Sequence, residues 1–386
     1  MEFEKNGLTW EWCIETDKYS HLFFVDTDLI AAQISNGNYV LLDTNGEIIS
    51  ALEYVSVSRF IDGIAAVENN ENSFYINKRG ENVFNTVFEV TCEFSNNLAA
   101  VKKDGFWGFI DQTGKMVIDN RYDEVKCFNE NLAVVKKDNE WGVIDTLGEI
   151  ISGFQYDNIN NFREGYAAVR MDKKWGFIDK LGEIFITCQF DEIRDFSEGY
   201  AAVKKDEKWG FINEKGKICI DLKYDAVGDF SEEKVAVKLS NRREGMDEWA
   251  YVDSCDNIVI DFYAYEATGN QIFTVGEFCD GLAIVSKTLL SIINDKGEDV
   301  FLGGSSKFFI ESFGYDKNFD AIPAYVYIDE EMKIKKYGLV GITGMERLEP
   351  IFDYIDGIYG NYVVVINIVE DEYKWGLIKI SESSSH

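Results

Sequence analysis

The residue types best suited to metal or redox chemistry are seven cysteines, at positions 13, 92, 127, 188, 219, 255 and 279, and none forms a CxxC pair. Zinc needs clustered Cys or His ligands, and the chain holds only two histidines, His21 and His386. An odd number of scattered cysteines, with no secretion signal, fits reduced cytoplasmic thiols filling small apolar sites. Nucleophilic catalysis needs a base beside a serine or thiol. His21 is the only histidine outside the C-terminal tail, and no G-x-S-x-G elbow surrounds a serine. Phosphate-cradling G-x-x-x-x-G-K-[ST] and dinucleotide-type glycine turns are absent as well. Paired carboxylates could hydrolyse glycosides, but 69 acidic residues place pairs side by side by accident. The expectation is no catalytic residue, no metal and no cofactor, with a glycan-acting enzyme as an alternative.

Those 69 acids face 38 bases in 386 residues, a formal charge of −31. Nucleic-acid binding by phosphate neutralisation requires basic surface and is excluded. Hydrophobic residues make up 46% of the chain and aromatics 15%, enough for a large core, so disorder is excluded. No apolar run approaches the roughly 18 residues of a membrane span. The first 30 residues carry only Lys5 and Lys18 as cations and no apolar h-region, which argues against a signal peptide.

Sliding the sequence against itself exposes the elements that must position any site. "FWGFIDQTGK", "EWGVIDTLGE", "KWGFIDKLGE" and "KWGFINEKGK" set Trp107, Trp141, Trp175 and Trp209 at intervals of 34. The same step backwards reaches Ser73 and Tyr39. Gly46, Gly80, Gly114, Gly148, Gly182 and Gly216 keep that step, as do Phe60, Phe94, Phe128, Phe162, Phe196 and Phe230. After residue 230 the period loosens. Trp249, Leu290, Tyr337 and Trp375 continue the tryptophan column with longer connections, giving ten units in all.

Each unit reads as four short strands. "YAAVKK" and "WGFID" flank a polar hairpin turn such as Asp206–Lys208. A D-x-x-G turn, as in Asp111–Gly114, leads to a third strand, and "YDEV" or "FDEI" forms the fourth. Period-two alternation puts Trp209 and Phe211 on one face of the strand and Gly210 and Ile212 on the other. The glycine would let a neighbouring backbone or the next unit's aromatic come close. A 34-residue unit cannot bury its aromatics alone, so the units must stack. Ten units exceed the usual four to eight blades of a propeller. The fold expected is therefore an all-β open superhelical solenoid, with one propeller-like ring or two rings as the alternative. The segments are 1–38, an N-terminal capping strand with a partial repeat; 39–239, six regular repeats; 240–380, four divergent repeats; and 381–386, a flexible tail.

These columns resemble the WG-repeat proteins, a bacterial tandem-repeat family whose unit runs W-G-[FY]-I-D-x-x-G-K, then Y-D-x-I, then F-x-E-G-L-A-x-V. Residues 98–239 match almost throughout. Residues 39–97 carry Tyr39 and Ser73 in place of tryptophan, and 240–380 match in degenerate form. The resemblance implies a β-rich scaffold for binding and transfers no catalytic residue.

The structural core expected is Trp107, Trp141, Trp175, Trp209, Trp249 and Trp375, with Phe94, Phe128, Phe162, Phe196 and Phe230. The tryptophans read as packing between units rather than as a ladder of platforms for sugars or peptides. The Asp column (Asp43, Asp111, Asp145, Asp179, Asp253, with Asn77, Asn213 and Asn294 substituting) reads as turn capping rather than calcium ligation. The recurring pairs Lys102–Lys103, Lys136–Lys137 and Lys204–Lys205 read as solvated hairpin tips. Residues 98–239 carry net −6, whereas 1–97 carry −11 and 240–386 carry −14. This asymmetry suggests docking of a basic protein partner on acidic segments, with Asp247, Glu248, Asp329, Glu330 and Glu331 as candidate contacts and "FSEE" as a further cluster. The function expected is a cytoplasmic, non-enzymatic, monomeric or weakly associating interaction scaffold, without nucleic acid or membrane. Alternatives are an inhibitor or immunity-type protein covering a basic toxin or nucleic-acid enzyme, and a carbohydrate-binding protein.

Overall fold

The computed structural model describes residues 8–243, 246–262, 274–286, 290–302, 321–329, 334–341, 345–369 and 372–382. Among them lie ten antiparallel sheets, eight of four strands and two of three. A representative sheet runs Glu124–Val125, Leu132–Lys137, Glu140–Asp145, Ile150–Tyr156, each strand pairing with its sequence neighbour. The tip between its middle strands holds Asp138 and Asn139 at φ 53° and 69°, the two left-handed residues of a type I′ hairpin. The aspartate of the Y-D motif secures this tip: Asp123 Oδ2 accepts from Asp138 N at 2.8 Å, and Asp191 Oδ2 from Asp206 N at 3.1 Å.

The D-x-x-G column caps turns. Asp145 Oδ1 accepts from the amides of Leu147 and Glu149, both at 2.9 Å, and Asn213 does the same for Lys215 and Lys217. Asp43, Asn77, Asp111, Asp179, Asp253 and Asn294 repeat the pattern. The glycine after tryptophan has an equally local cause. A Cβ on Gly176 would stand 2.3 Å from Ile186 O of the adjoining strand, where pairing jumps from Trp175↔Phe190 to Phe177↔Ile186. The close approach is thus backbone of the same sheet, at an irregularity in its edge strand.

Alternation then sends successive residues into different cores. Phe211 joins Phe230, Val237 and Val252 on one side of its sheet, while Ile212 joins Phe177 and Phe196 on the other. The phenylalanine column is buried throughout, and three of its rings lie against the preceding sheet's aromatic: Phe109–Phe128 at 4.8 Å, Phe177–Phe196 at 5.0 Å and Phe211–Phe230 at 5.1 Å. The six column tryptophans are only half-buried. Over three of them lies a cross-strand cation: Lys136 Nζ sits 5.5 Å from the Trp141 ring centre, the Arg170 guanidinium 5.9 Å from that of Trp175, and Lys204 Nζ 5.9 Å from that of Trp209. Lys136 and Lys204 are therefore half-buried ring covers, not the solvated hairpin tips expected from sequence, whereas Lys137 and Lys205 are exposed.

Neighbouring sheets are also stitched by polar groups that the sequence concealed. Glu164, at φ 52°, accepts from the amides of Glu198 and Gly199 in the next sheet's equivalent loop, both at 2.9 Å. Glu198 accepts in turn from Glu232 and Glu233 at 2.7 and 2.8 Å, and Glu232 from Gly281 at 3.0 Å. Glu130 accepts from Gly165 at 2.9 Å. Beside this ladder, Asn129 and Ser197 donate to the carbonyls of Phe162 and Phe230.

The chain divides into two compact units, residues 1–87 with 300–386 and residues 88–299. Within the first unit, strand Leu8–Tyr19 pairs antiparallel with strand Glu372–Glu382, Leu8 opposite Glu382 and Trp12 opposite Ile378. The first strand does not cover the end of a stack; it completes the sheet of the last two repeats' strands. An open solenoid keeps its two ends apart, so this pairing overturns the open reading. It supports the closed, propeller-like alternative. Residues 383–386 of the expected tail lie outside the described residues.

Burial ranks the two aromatic columns. Phe162→Ala should cost about 3–5 kcal/mol, and Trp175→Ala about 2 kcal/mol, because that ring is already partly exposed in the folded protein. Glu164→Ala should cost about 1 kcal/mol through the lost amide contacts. Thermal unfolding of the three variants tests this order, and a tryptophan variant less stable than the phenylalanine variant would reverse it.

Candidate functional site

Two clefts, one in each unit, bring chemically capable side chains together. In the 88–299 unit, a cleft of about 650 Å³ is lined by Glu198, Tyr200, Phe230, Glu233, Asp253 and Ser254. Its apolar wall is a ring pair, Tyr200 against Phe230 with centroids 4.4 Å apart and planes 32° from parallel. Glu198 is fixed by the amides it accepts from the next sheet, and Glu233 follows in the left-handed region at φ 64°, exposed. Asp253 arrives from the equivalent turn, where Asp256 at φ 66° stands in the glycine position and Asn257 Nδ2 donates to Asp253 Oδ2 at 2.9 Å. That contact, followed by the turn amides, holds the Asp253 carboxyl below its ordinary value. The cleft thus presents three carboxylates around an aromatic wall. A smaller recess of about 290 Å³ shares Glu198 and Tyr200 and adds Asn213, Glu214 and Lys215.

In the other unit, a cleft of about 610 Å³ lies among the hairpin Phe24–Thr27, the loop Arg59–Ile61 and the hairpin Tyr359–Tyr362. Phe24 stacks on Tyr359 at 4.9 Å and lies 6.0 Å from Tyr362. Nearby, His21 Nδ1 hydrogen-bonds Tyr39 Oη at 2.9 Å, with the ring edge-on to Trp375 at 4.6 Å. Burial lowers the His21 pKa and outweighs attraction to Asp356, so the imidazole is neutral at neutral pH. Burial raises the Asp356 carboxyl against the pull of His21 and of the hydrogen bond from Tyr359. Among the described hydrogen bonds of His21 the partner is the Tyr39 phenol, and no serine, threonine or cysteine side chain joins it. Among the described residues, no group of three or more His, Cys, Asp or Glu side chains is arranged to hold a metal ion.

Of the acidic residues singled out as candidate contacts from sequence, one has a described side chain. Glu248 is 3% exposed, inside strand Met246–Val252, and is not the surface contact expected. The Asp247 and Asp329 side chains, and all of Glu330 and Glu331, lie outside the described residues. Glu232 of "FSEE" accepts from the Gly281 amide of the next sheet, as Glu198 does from the amides of Glu232 and Glu233. Nor is acidity confined to the flanks of the sequence: the first unit has 28 acids against 13 bases, the second 41 against 25, or net −15 and −16. The Glu198–Asp253 cleft went unseen because its residues belong to two structural columns, whose shared outward end only the folded sheets reveal.

Two thiols meet in the core between consecutive sheets. Cys92 of strand Val90–Ser95 and Cys127, one residue before buried Phe128, are in hydrogen-bond contact. The Cys92 S–H donates, holding Cys127 down to about 7 and raising Cys92. Cys127 should therefore be alkylated before Cys92 by iodoacetamide at pH 7.5, and Cys92→Ala should slow it roughly tenfold. Equal Cys127 labelling in both proteins, followed by mass spectrometry, would show that the thiols share no proton.

Comparison with known proteins agrees with the repeat. The WG containing repeat model matches residues 41–72, 74–105, 107–141, 141–175, 175–209 and 209–242. No curated protein matches the chain. Among solved structures, a eukaryotic initiation factor is similar at 12% identity and TM-score 0.47, over 83% of this chain and 92% of that one. BamB from Moraxella catarrhalis is similar at 12% identity and TM-score 0.33, over 55% and 76%, and the C-terminal WD40 domain of Sif2 at 10% and 0.33, over 72% and 97%. With six tandem matches across more than half of its length, each in register with the tryptophan column, the chain belongs to the WG containing repeat family.

Proposed function

We propose that this protein is a non-enzymatic, cytoplasmic interaction scaffold that binds a basic protein partner. The observation that carries this reading is the cleft of Glu198, Glu233 and Asp253 around the Tyr200–Phe230 pair. A lysine or arginine entering it would lay its aliphatic stem along the Tyr200 ring, which Phe230 backs from the core, and set its charge among the carboxylates. Hydrogen bonds already hold Glu198 and Asp253 in place, so little ordering is needed on association. The charge of −31 favours encounter with such a partner by long-range attraction, which salt screens. A basic toxin or nucleic-acid enzyme held inactive by the chain is one case of this partner class.

The test is capture from native lysate with the intact protein as bait, washed at low and high salt. A stoichiometric basic partner is expected, retained at low salt and released at high salt. Glu233→Gln with Asp253→Asn should weaken it about tenfold. Asparagine serves this turn in Asn213 and Asn294, so the fold survives the exchange. No partner at either salt, or one indifferent to both substitutions, would defeat the proposal.

A further inference from the structure

The 610 Å³ cleft of the first unit lies where the repeat abandons its own stitching. In regular sheets the first two strands are joined by an F-x-E-G-type loop, whose glutamate clamps the next sheet. Here strand His21–Asp26 turns into Leu29–Gln33 through Thr27 and Asp28 alone, and strand Tyr354–Tyr359 turns into Tyr362–Val369 through Gly360 and Asn361. Two shortened connections remove two loops, and the third wall, Arg59–Ile61, is the corresponding loop of the following sheet. Volumes of about 300–1,000 Å³ suit small-molecule ligands.

The lining restricts the ligand's chemistry. Tyr359 is 39% exposed and rests on Phe24, so it offers an open ring face on a braced support. The polar rim has both signs. Asp26 is paired with Lys78 at 2.7 Å, which lowers its pKa and keeps it anionic, whereas Arg59 is a permanent cation whose charge reaches Tyr359. An anionic ligand would face Asp26, and a cationic one would face Arg59. A neutral ligand with hydroxyls at its edge meets acceptors at Asp26, donors at Arg59 and both kinds at Asn361. A ligand with one flat C–H face would also use the Tyr359 ring. A pyranose ring has that combination.

We infer that this cleft is a binding site for a neutral saccharide, with Tyr359 as stacking platform and Asp26, Arg59 and Asn361 as hydroxyl partners. It is separate from the basic-partner cleft and does not rest on it. The experiment is a screen of the intact protein on an array of neutral, sialylated and sulfated glycans, followed by calorimetric titration with the best neutral oligosaccharide. Binding to neutral glycans is expected, weakened about tenfold or more by Tyr359→Ala and by Asn361→Ala at unchanged Tm. Asn361→Ala, in a surface turn, keeps the test open should the tyrosine variant fail to fold. Three results would overturn the inference: no neutral glycan bound, binding confined to sialylated or sulfated glycans, or binding undiminished in both variants. Capture of a basic partner should be unaffected by Tyr359→Ala, so the two readings fail separately.

Discussion

The clamp of one sheet's glutamate on the next sheet's loop amides is the constraint on which the regular part of this molecule depends. Hydrophobic burial brings neighbouring sheets together, but it is non-directional and tolerates sliding. The Glu164, Glu198 and Glu232 carboxylates set the register, because two oxygens must meet amides whose positions are fixed by a left-handed turn. The charged acceptor also satisfies loop N–H groups that have no strand partner. Four strands, a buried phenylalanine and a clamp then form one repeatable step.

Function follows from where that step is preserved and where it is broken. In the 88–299 unit the clamp is intact, and its outward end becomes an acidic, aromatic-walled cleft because Glu233 and Asp253 stand beside Glu198. In the other unit two-residue turns replace the clamping loops and leave a cleft with rings and charges of both signs. Each unit thereby exposes a different chemistry from one underlying strand pattern, the usual arrangement when loops vary on a constant β scaffold.

Several motif residues proved to have two duties. Trp141, Trp175 and Trp209 pack against the neighbouring core and leave a ring surface to Lys136, Arg170 and Lys204. The lysine pairs looked like solvated tips because adjacent residues were read as equivalent. Strand alternation makes them opposites, one over the ring and one in water. Glu248 looked exposed because its neighbours are polar, yet it occupies an inward position of a long hairpin and is buried.

The sequence alone determined the all-β class, the 34-residue period, the four strands of the regular units and the turn duty of the Asp column. All of these follow from contacts within a few residues: side-chain alternation, turn geometry and local capping. Tertiary structure decided the rest. That strand Leu8–Tyr19 completes the last sheet depends on a pairing across some 370 residues, which no local periodicity encodes. The membership of each cleft was equally hidden, since Phe24 and Tyr359, or Glu198 and Asp253, become neighbours only after sheets are stacked. Closure and site composition are long-range properties, fixed by which sheet edges meet and not by what any one repeat contains.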